Sequence, residues 1–208
     1  MVVIAVSARG QLIEHAAAAV LRDAVFDASA STLYATAADT GEILKIDAAT
    51  GNVVARVSVG KGPGSIASDG STLACVDRAG KTVSLVRISD FTIVGEASIG
   101  DGADEITALP GGGFAVVNSF SDSATLIDPQ HADAPVAIEG IASVPSGIAA
   151  SESYLAVSTR SPAAVLIYAG GSHTPSATVP VPEGPSRVVA LPDDRFAVMT
   201  KSTVIVID

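Results

Sequence analysis

Residues able to do chemistry recur along this chain at intervals of about 40. One series is Ala24, Ser65, Glu105, Gly147 and Arg187. A second is Ala37, Asp77, Asn118, Thr159 and Thr200, followed in turn by Ala38, Arg78, Ser119, Arg160 and Lys201. Most members are small or hydroxylated, so the departures stand out. Glu105 and Arg187 open matching segments 82 residues apart, EITALPGGGFAVV and RVVALPDDRFAVM, yet carry opposite charge. Two chemistries follow. Arg160, Arg187 and Lys201 could contact an anionic group, the guanidinium fork suiting carboxylate or phosphate, with Glu105 and Asn118 completing a polar ligand site. Alternatively, Glu105, Asn118, Asp77 and Asp23 could offer converging oxygens to a hard divalent cation. A structural ion pair, or two solvated charges, is the plain reading of Glu105 and Arg187.

Other catalytic patterns are poor. His15, His131 and His173 are too dispersed for a zinc set. There is no Gly-x-Ser-x-Gly elbow. Gly111-Gly112-Gly113 lacks the Lys-Ser/Thr successor of a phosphate cradle and reads as a hairpin turn. The single cysteine, Cys75, lies among Leu73, Ala74 and Val76 and reads as a small core residue; one cysteine forms no intrachain disulfide and anchors no C-x-x-C-H haem.

The elements that must position these residues repeat with them. Lys45-Ile46-Asp47, Leu126-Ile127-Asp128 and Val206-Ile207-Asp208 lie 81 and 80 residues apart, with Arg87-Ile88-Ser89 and Ile167-Tyr168-Ala169 between them. Each unit runs apolar stretch, turn, apolar stretch, loop, third stretch, turn, fourth stretch. In the first full unit the stretches are Ala24 to Asp27, Thr32 to Ala37, Glu42 to Asp47 and Asn52 to Val59. Short β-rich runs punctuated by Gly, Ser and Asp are strand signals. The expectation is therefore an all-β chain, a β-propeller of four-stranded antiparallel blades with about five repeats. It reads as a single domain over 1–208, with repeats near 23–60, 61–100, 101–141, 142–181 and 182–208, and with 1–22 supplying the closing strands. Val2 to Ser7 aligns with a third strand and Gln11 to Ala18 with a fourth, so the chain holds five repeats and a surplus strand. A closed five-bladed ring and an open arc of a larger propeller are both consistent with this count, and an open blade edge would invite self-association.

Composition narrows the partners. The 208 residues carry a formal net charge of −10, which argues against nucleic acid and anionic membrane surfaces, and the few basic residues are not interleaved with aromatics. No apolar stretch approaches the ~20 residues that cross a bilayer. The opening MVVIAVSARGQL has neither a basic n-region nor a long apolar h-region, so it does not read as a signal peptide.

The segment KIDAATGNVVARVSVGKGPGSIASDGSTLACVD, Lys45 to Asp77, resembles the YVTN-type β-propeller repeat. The matching residues are Ile46-Asp47, Thr50, Val53-Val54, Val59-Gly60, Pro63, Ile66-Ala67, Asp69-Gly70 and Leu73; the YVTN strand itself is degraded to LYATA at Leu33 and FAVVN at Phe114. The resemblance implies the propeller fold over nearly the whole chain. It is almost silent on activity, since such propellers include cell-surface and binding proteins, cofactor-enzyme subunits and lactonase-like hydrolases. Three readings stay open: a noncatalytic protein- or ligand-binding scaffold that uses the loop face around the central channel and needs no cofactor; a lactonase-like hydrolase with a divalent cation on Glu105, Asn118, Asp77 and Asp23; and a structural segment of a larger surface protein. The family leaves an extracytoplasmic place open where a leader has been trimmed.

Overall fold

The computed structural model describes residues 19–141 and 144–208. The expectations for Val2 to Ser7, Gln11 to Ala18 and His15 lie outside the described residues. Every described regular element is a strand. The strands form five antiparallel sheets, each pairing neighbours in chain order.

The first sheet contains β1 (Leu21–Asp27), β2 (Thr32–Ala37), β3 (Glu42–Asp47) and β4 (Val53–Ser58). The second contains β5 (Pro63–Ser68), β6 (Thr72–Asp77), β7 (Thr82–Arg87) and β8 (Thr92–Ser98). The third is β9 (Ala103–Ala108), β10 (Phe114–Asn118), β11 (Ser123–Ile127) and β12 (Val136–Ile138). The fourth is β13 (Pro145–Ala150), β14 (Tyr154–Arg160), β15 (Ala163–Ala169) and β16 (Ala177–Pro180). The fifth has three described strands, β17 (Arg187–Ala190), β18 (Phe196–Met199) and β19 (Val204–Ile207). Contacts divide the chain into two compact units, Met1–Gly95 and Glu96–Asp208, the division falling inside β8.

Burial explains the composition of each strand. The second strands β6 and β10 are buried at every position, because a mid-sheet strand covered on both faces needs an unbroken small or apolar run rather than an alternating one. The fourth strands β4 and β16 are largely exposed or half-buried. In the Glu96–Asp208 unit, Val117, Ala124 and Ile138 of the third sheet pack with Ile148, Val157, Leu166 and Tyr168 of the fourth. The other face of the fourth sheet, Ala149, Ala156, Val165 and Ile167, packs against Val188, Phe196 and Val198 of the fifth. In the Met1–Gly95 unit the corresponding layer joins Tyr34 and Ile43 to Ile66, Leu73, Cys75 and Val86. Cys75 is fully buried, and desolvation, followed by the charges of Asp77 and Asp23, pushes its thiol up to about 12. It is a core residue with no thiolate at neutral pH.

The turns carry their own chemistry. Asp47 accepts N–H bonds from Ala49 and Thr50 at 2.9 and 2.8 Å, and Asp69 does the same for Ser71 and Thr72 at 2.9 and 2.8 Å. These are the side-chain-closed turns for which aspartate is selected. Gly111, Gly112 and Gly113 form the β9–β10 turn with φ of 84, 104 and 89°. The equivalent turn between β17 and β18 forces Asp193 and Asp194 into the same left-handed region, at 61 and 58°.

Candidate functional site

The innermost strands β1, β5, β9 and β13 begin with the same irregularity. Leu21, Pro63, Ala103 and Pro145 each pair with the last or next-to-last residue of a second strand, and the register then shifts by a bulge. Counting two residues on from each gives Asp23, Ser65, Glu105 and Gly147. The first series therefore starts at Asp23, one residue before the Ala24 that local alignment suggests. The four strands share this bulge, so the pairing register, and not the apolar pattern, aligns them.

Asp23 and Glu105 then prove equivalent in function as well as position. Asp23 Oδ2 accepts the backbone N–H of Ile66 at 3.0 Å, 43 residues on. Glu105 Oε2 accepts that of Ile148 at 3.2 Å, again 43 residues on. Each carboxylate fastens its own blade to the first strand of the next. The other oxygens are also engaged: Asp23 Oδ1 accepts the Ala24 N–H at 2.9 Å, and Glu105 Oε1 lies 3.3 Å from Arg187 Nε. The Glu105–Arg187 pair spans from the third sheet to the fifth across Gly147. A Cβ on Gly147 would sit 2.8 Å from Ser158 Oγ and 3.2 Å from Glu105 Oε2. Glycine there keeps the carboxylate's path open.

The second series occupies the ends of the second strands, as expected, but its members differ in depth. Asp77 is buried and receives N–H bonds from Ala79 and Gly80 on Oδ1 and from Lys61 on Oδ2, at 3.0, 3.1 and 3.1 Å. Asn118 is fully buried. Its Nδ2 donates to Ser123 Oγ at 3.2 Å and Thr125 Oγ1 at 2.9 Å, while Oδ1 has no partner. Asn118 thus lies beneath the loop face rather than on it. Among the described residues no three His, Cys, Asp or Glu side chains converge as a metal-holding cluster. His131 instead pairs with Asp128 in the turn after β11, Nδ1 to Oδ2 at 2.7 Å.

Arg160, Arg187 and Lys201 are exposed at the tips of the fourth and fifth sheets. Arg160 packs its stem near Gly184, whose added Cβ would lie 3.8 Å from Arg160 Cγ. The neighbouring Glu183 accepts a 3.0 Å bond from Ser202 Oγ, beside Lys201. The loop 181–186 therefore bridges the two tips. Neither Arg160 nor Lys201 forms an ion pair among the described residues, whereas Arg187 has Glu105.

One residue that the spacing did not single out dominates this face. Phe120, at the β10–β11 tip of the third sheet, is 83% exposed, and hydrogen bonds fix the backbone that carries it. Phe120 N–H donates to Asp101 O at 3.1 Å, Ser119 N–H to Gly102 O at 3.0 Å, and Asp101 N–H to Ser121 Oγ at 2.6 Å. Asp122 Oδ1 accepts the N–H of Val144 at 2.9 Å, and Val144 O accepts that of Arg160 at 3.1 Å. Val144 pays for this bridge with a φ of 61°, a strained conformation for a β-branched residue. The chain thus joins the Phe120 tip to the Arg160 tip through one strained residue. The only sequence signal for Phe120 was an aromatic inside a Ser-Phe-Ser-Asp turn where the other repeats carry small or charged residues.

No known family's sequence profile matches the chain, and no curated protein matches it in sequence. Solved structures do. The chain is similar to hydrazine synthase from Kuenenia stuttgartiensis, with a TM-score of 0.75 at 20% identity over 88% of this chain and 56% of that one. It is also similar to a functionally unknown protein from Desulfotomaculum acetoxidans DSM 771, with a TM-score of 0.76 at 16% identity over 89% of this chain and 64% of that one. The chain spans less than two thirds of either neighbour. At these identities the likeness concerns fold alone. Together with the five antiparallel sheets it makes this an all-β protein of β-propeller fold, built from about five repeated blades.

Proposed function

We propose that the protein is a noncatalytic binding scaffold of the YVTN type. The loop face of its Glu96–Asp208 unit would engage an acidic protein segment bearing an apolar side chain. The observation that carries this reading is Phe120, 83% exposed on a tip fixed by backbone hydrogen bonds. An aromatic on a fixed backbone loses less entropy on binding than one on a loose loop, and aromatics are frequent anchors of interfaces. Arg160 and Lys201, exposed on the adjoining tips, supply positive charge in a unit otherwise rich in Asp and Glu. The hydrolase reading is less well supported, because it needs oxygens free to turn on a metal, and those of Asp23 and Asp77 are bonded to backbone N–H groups while Glu105 divides its two between the Ile148 N–H and Arg187.

Selection of displayed random peptides on the immobilised protein tests this. Enriched peptides should combine Asp or Glu with a large apolar residue and weaken at high salt, as exposed charge pairs do. The triple variant Phe120→Ser, Arg160→Ser, Lys201→Ser should keep the wild-type melting temperature and lose binding by tenfold or more, a ratio on the order of 1.4 kcal/mol. Absence of enrichment, or peptides that bind the variant equally well, would overturn the reading.

A further inference from the structure

Val144 stands where a glycine would be at ease. It precedes β13 as Gly102 precedes β9, and its carbonyl accepts the Arg160 N–H at 3.1 Å just as Gly102 O accepts the Ser119 N–H at 3.0 Å. The two positions are equivalent. Both have left-handed backbone, with φ of 72° at Gly102 and 61° at Val144. Glycine enters that region freely, whereas a β-branched side chain there is an outlier that lowers stability.

Nothing in the local construction selects valine. The bridge between the two tips uses only the Val144 N–H, bonded to Asp122 Oδ1 at 2.9 Å, and the Val144 carbonyl, groups that any residue except proline supplies. The side chain, at 39% exposed, also gives up much of the burial that could offset the strain. Its surroundings point outward instead. Asp122, which takes its N–H, lies two residues after Phe120, and Arg160, which donates to its carbonyl, is exposed on the next tip. Gly102 completes the arrangement from the other side. A Cβ there would lie 2.7 Å from Phe120 Cγ, so glycine at the third-sheet position leaves room for the root of the ring, while valine at the fourth-sheet position adds apolar surface beyond it.

We infer that Val144 is a binding residue of this face: its isopropyl group and the Phe120 ring together receive the apolar side chain of the acidic segment, with Arg160 beside them for a carboxylate. This rests on the binding reading of the same face and narrows its ligand. Because Val144 and Arg160 are hydrogen-bonded neighbours, the apolar side chain and the carboxylate must lie close together in the ligand, about two residues apart, the same-face repeat of an extended segment. A strained and open valine is then a side chain kept for contact although it lowers stability.

The test uses the tightest peptide recovered by selection on the wild-type protein, labelled for fluorescence anisotropy, and a second peptide with its apolar residue changed to serine. Val144→Gly and Val144→Asn, both residues at ease with positive φ, should melt at or above the wild-type temperature. They should bind the first peptide about fivefold more weakly or worse, while Val144→Ile binds it as the wild type does. For the serine peptide all four proteins should bind alike, because the coupling between Val144 and the apolar side chain is gone. A lowered melting temperature in both Val144→Gly and Val144→Asn would show that valine is kept for stability and would overturn the inference. Wild-type affinity in both, or an equal loss with the serine peptide, would do so too. If the variant carrying Phe120→Ser, Arg160→Ser and Lys201→Ser binds the first peptide normally, the binding reading fails and this inference with it; if that variant loses binding while Val144→Asn does not, the inference alone fails.

Discussion

Glu105 shows how one side chain can look like chemistry and serve construction. In the sequence it is a lone carboxylate facing a lone arginine across matching segments. In the structure its two oxygens divide the work: one takes the Ile148 N–H, the other meets Arg187. These contacts differ in worth. The Arg187 side chain is 62% exposed, and an ion pair so open to solvent contributes little. The bond to Ile148 is charge-assisted and shielded, and fastens two blades. Chemical denaturation should therefore show Glu105→Ala losing about 1–3 kcal/mol, Glu105→Gln losing distinctly less because its amide oxygen still accepts, and Arg187→Ala changing stability by no more than about 0.5 kcal/mol. A larger loss for Arg187→Ala than for Glu105→Ala would show that the ion pair, not the latch, is the important contact. Asn118 teaches the complementary point: its position in the series was legible, but its depth was not, because depth depends on Gly100, Ser123 and Thr125 closing around it.

At the scale of the element, strands were the legible part and bulges were not. Thr32 to Ala37 and Glu42 to Asp47 are strands over those same residues, because an apolar run between Asp- and Gly-containing turns admits few alternatives. The start of β1 moved to Leu21, and with it Asp23 replaced Ala24 in the first series, since an apolar run alone does not fix which residue pairs with the end of the second strand. Phe120 was hidden for a different reason: whether an aromatic is buried is decided by what packs over it, not by its neighbours in sequence. The turns themselves predict an acid response. Backbone N–H bonds, with hydroxyl bonds from Thr50 and Ser29, hold Asp47 and Asp27 below the ordinary aspartate value of 3.8. Arg87 and Thr92 do likewise for Asp90. A carboxyl whose folded value is lowered stabilises fully above its unfolded value and loses that contribution as pH falls through the folded one. Stability should thus decline as pH drops below about 3.8, and Asp47→Asn should flatten that decline while lowering stability at neutral pH. An unaltered slope in denaturation measured across this range would mean that the turn aspartates are not responsible.

At the scale of the whole molecule, the period that matters is two blades rather than one. The segments beginning at Glu105 and Arg187 match without a gap and start 82 residues apart, and the same interval separates the two latches, Asp23 with Ile66 and Glu105 with Ile148. Gly111 and Gly112 share their left-handed backbone with Asp193 and Asp194 at the same interval. Side chains that alternate between carboxylate and small residues, as in Asp23, Ser65, Glu105 and Gly147, follow from a two-blade unit used twice. The latches also fall in different compact units, Asp23 in Met1–Gly95 and Glu105 in Glu96–Asp208. Repeat architectures hold each module mainly through its immediate neighbours, so local opening is expected to stay local. Native-state hydrogen exchange can read this directly. Asp23→Ala should raise exchange at the Ile66 amide and leave Ile148 protected, and Glu105→Ala should do the reverse. Exchange that rises at both amides in either variant would show a molecule that opens as one cooperative body, and would make the two-blade period a relic of sequence rather than a unit of stability.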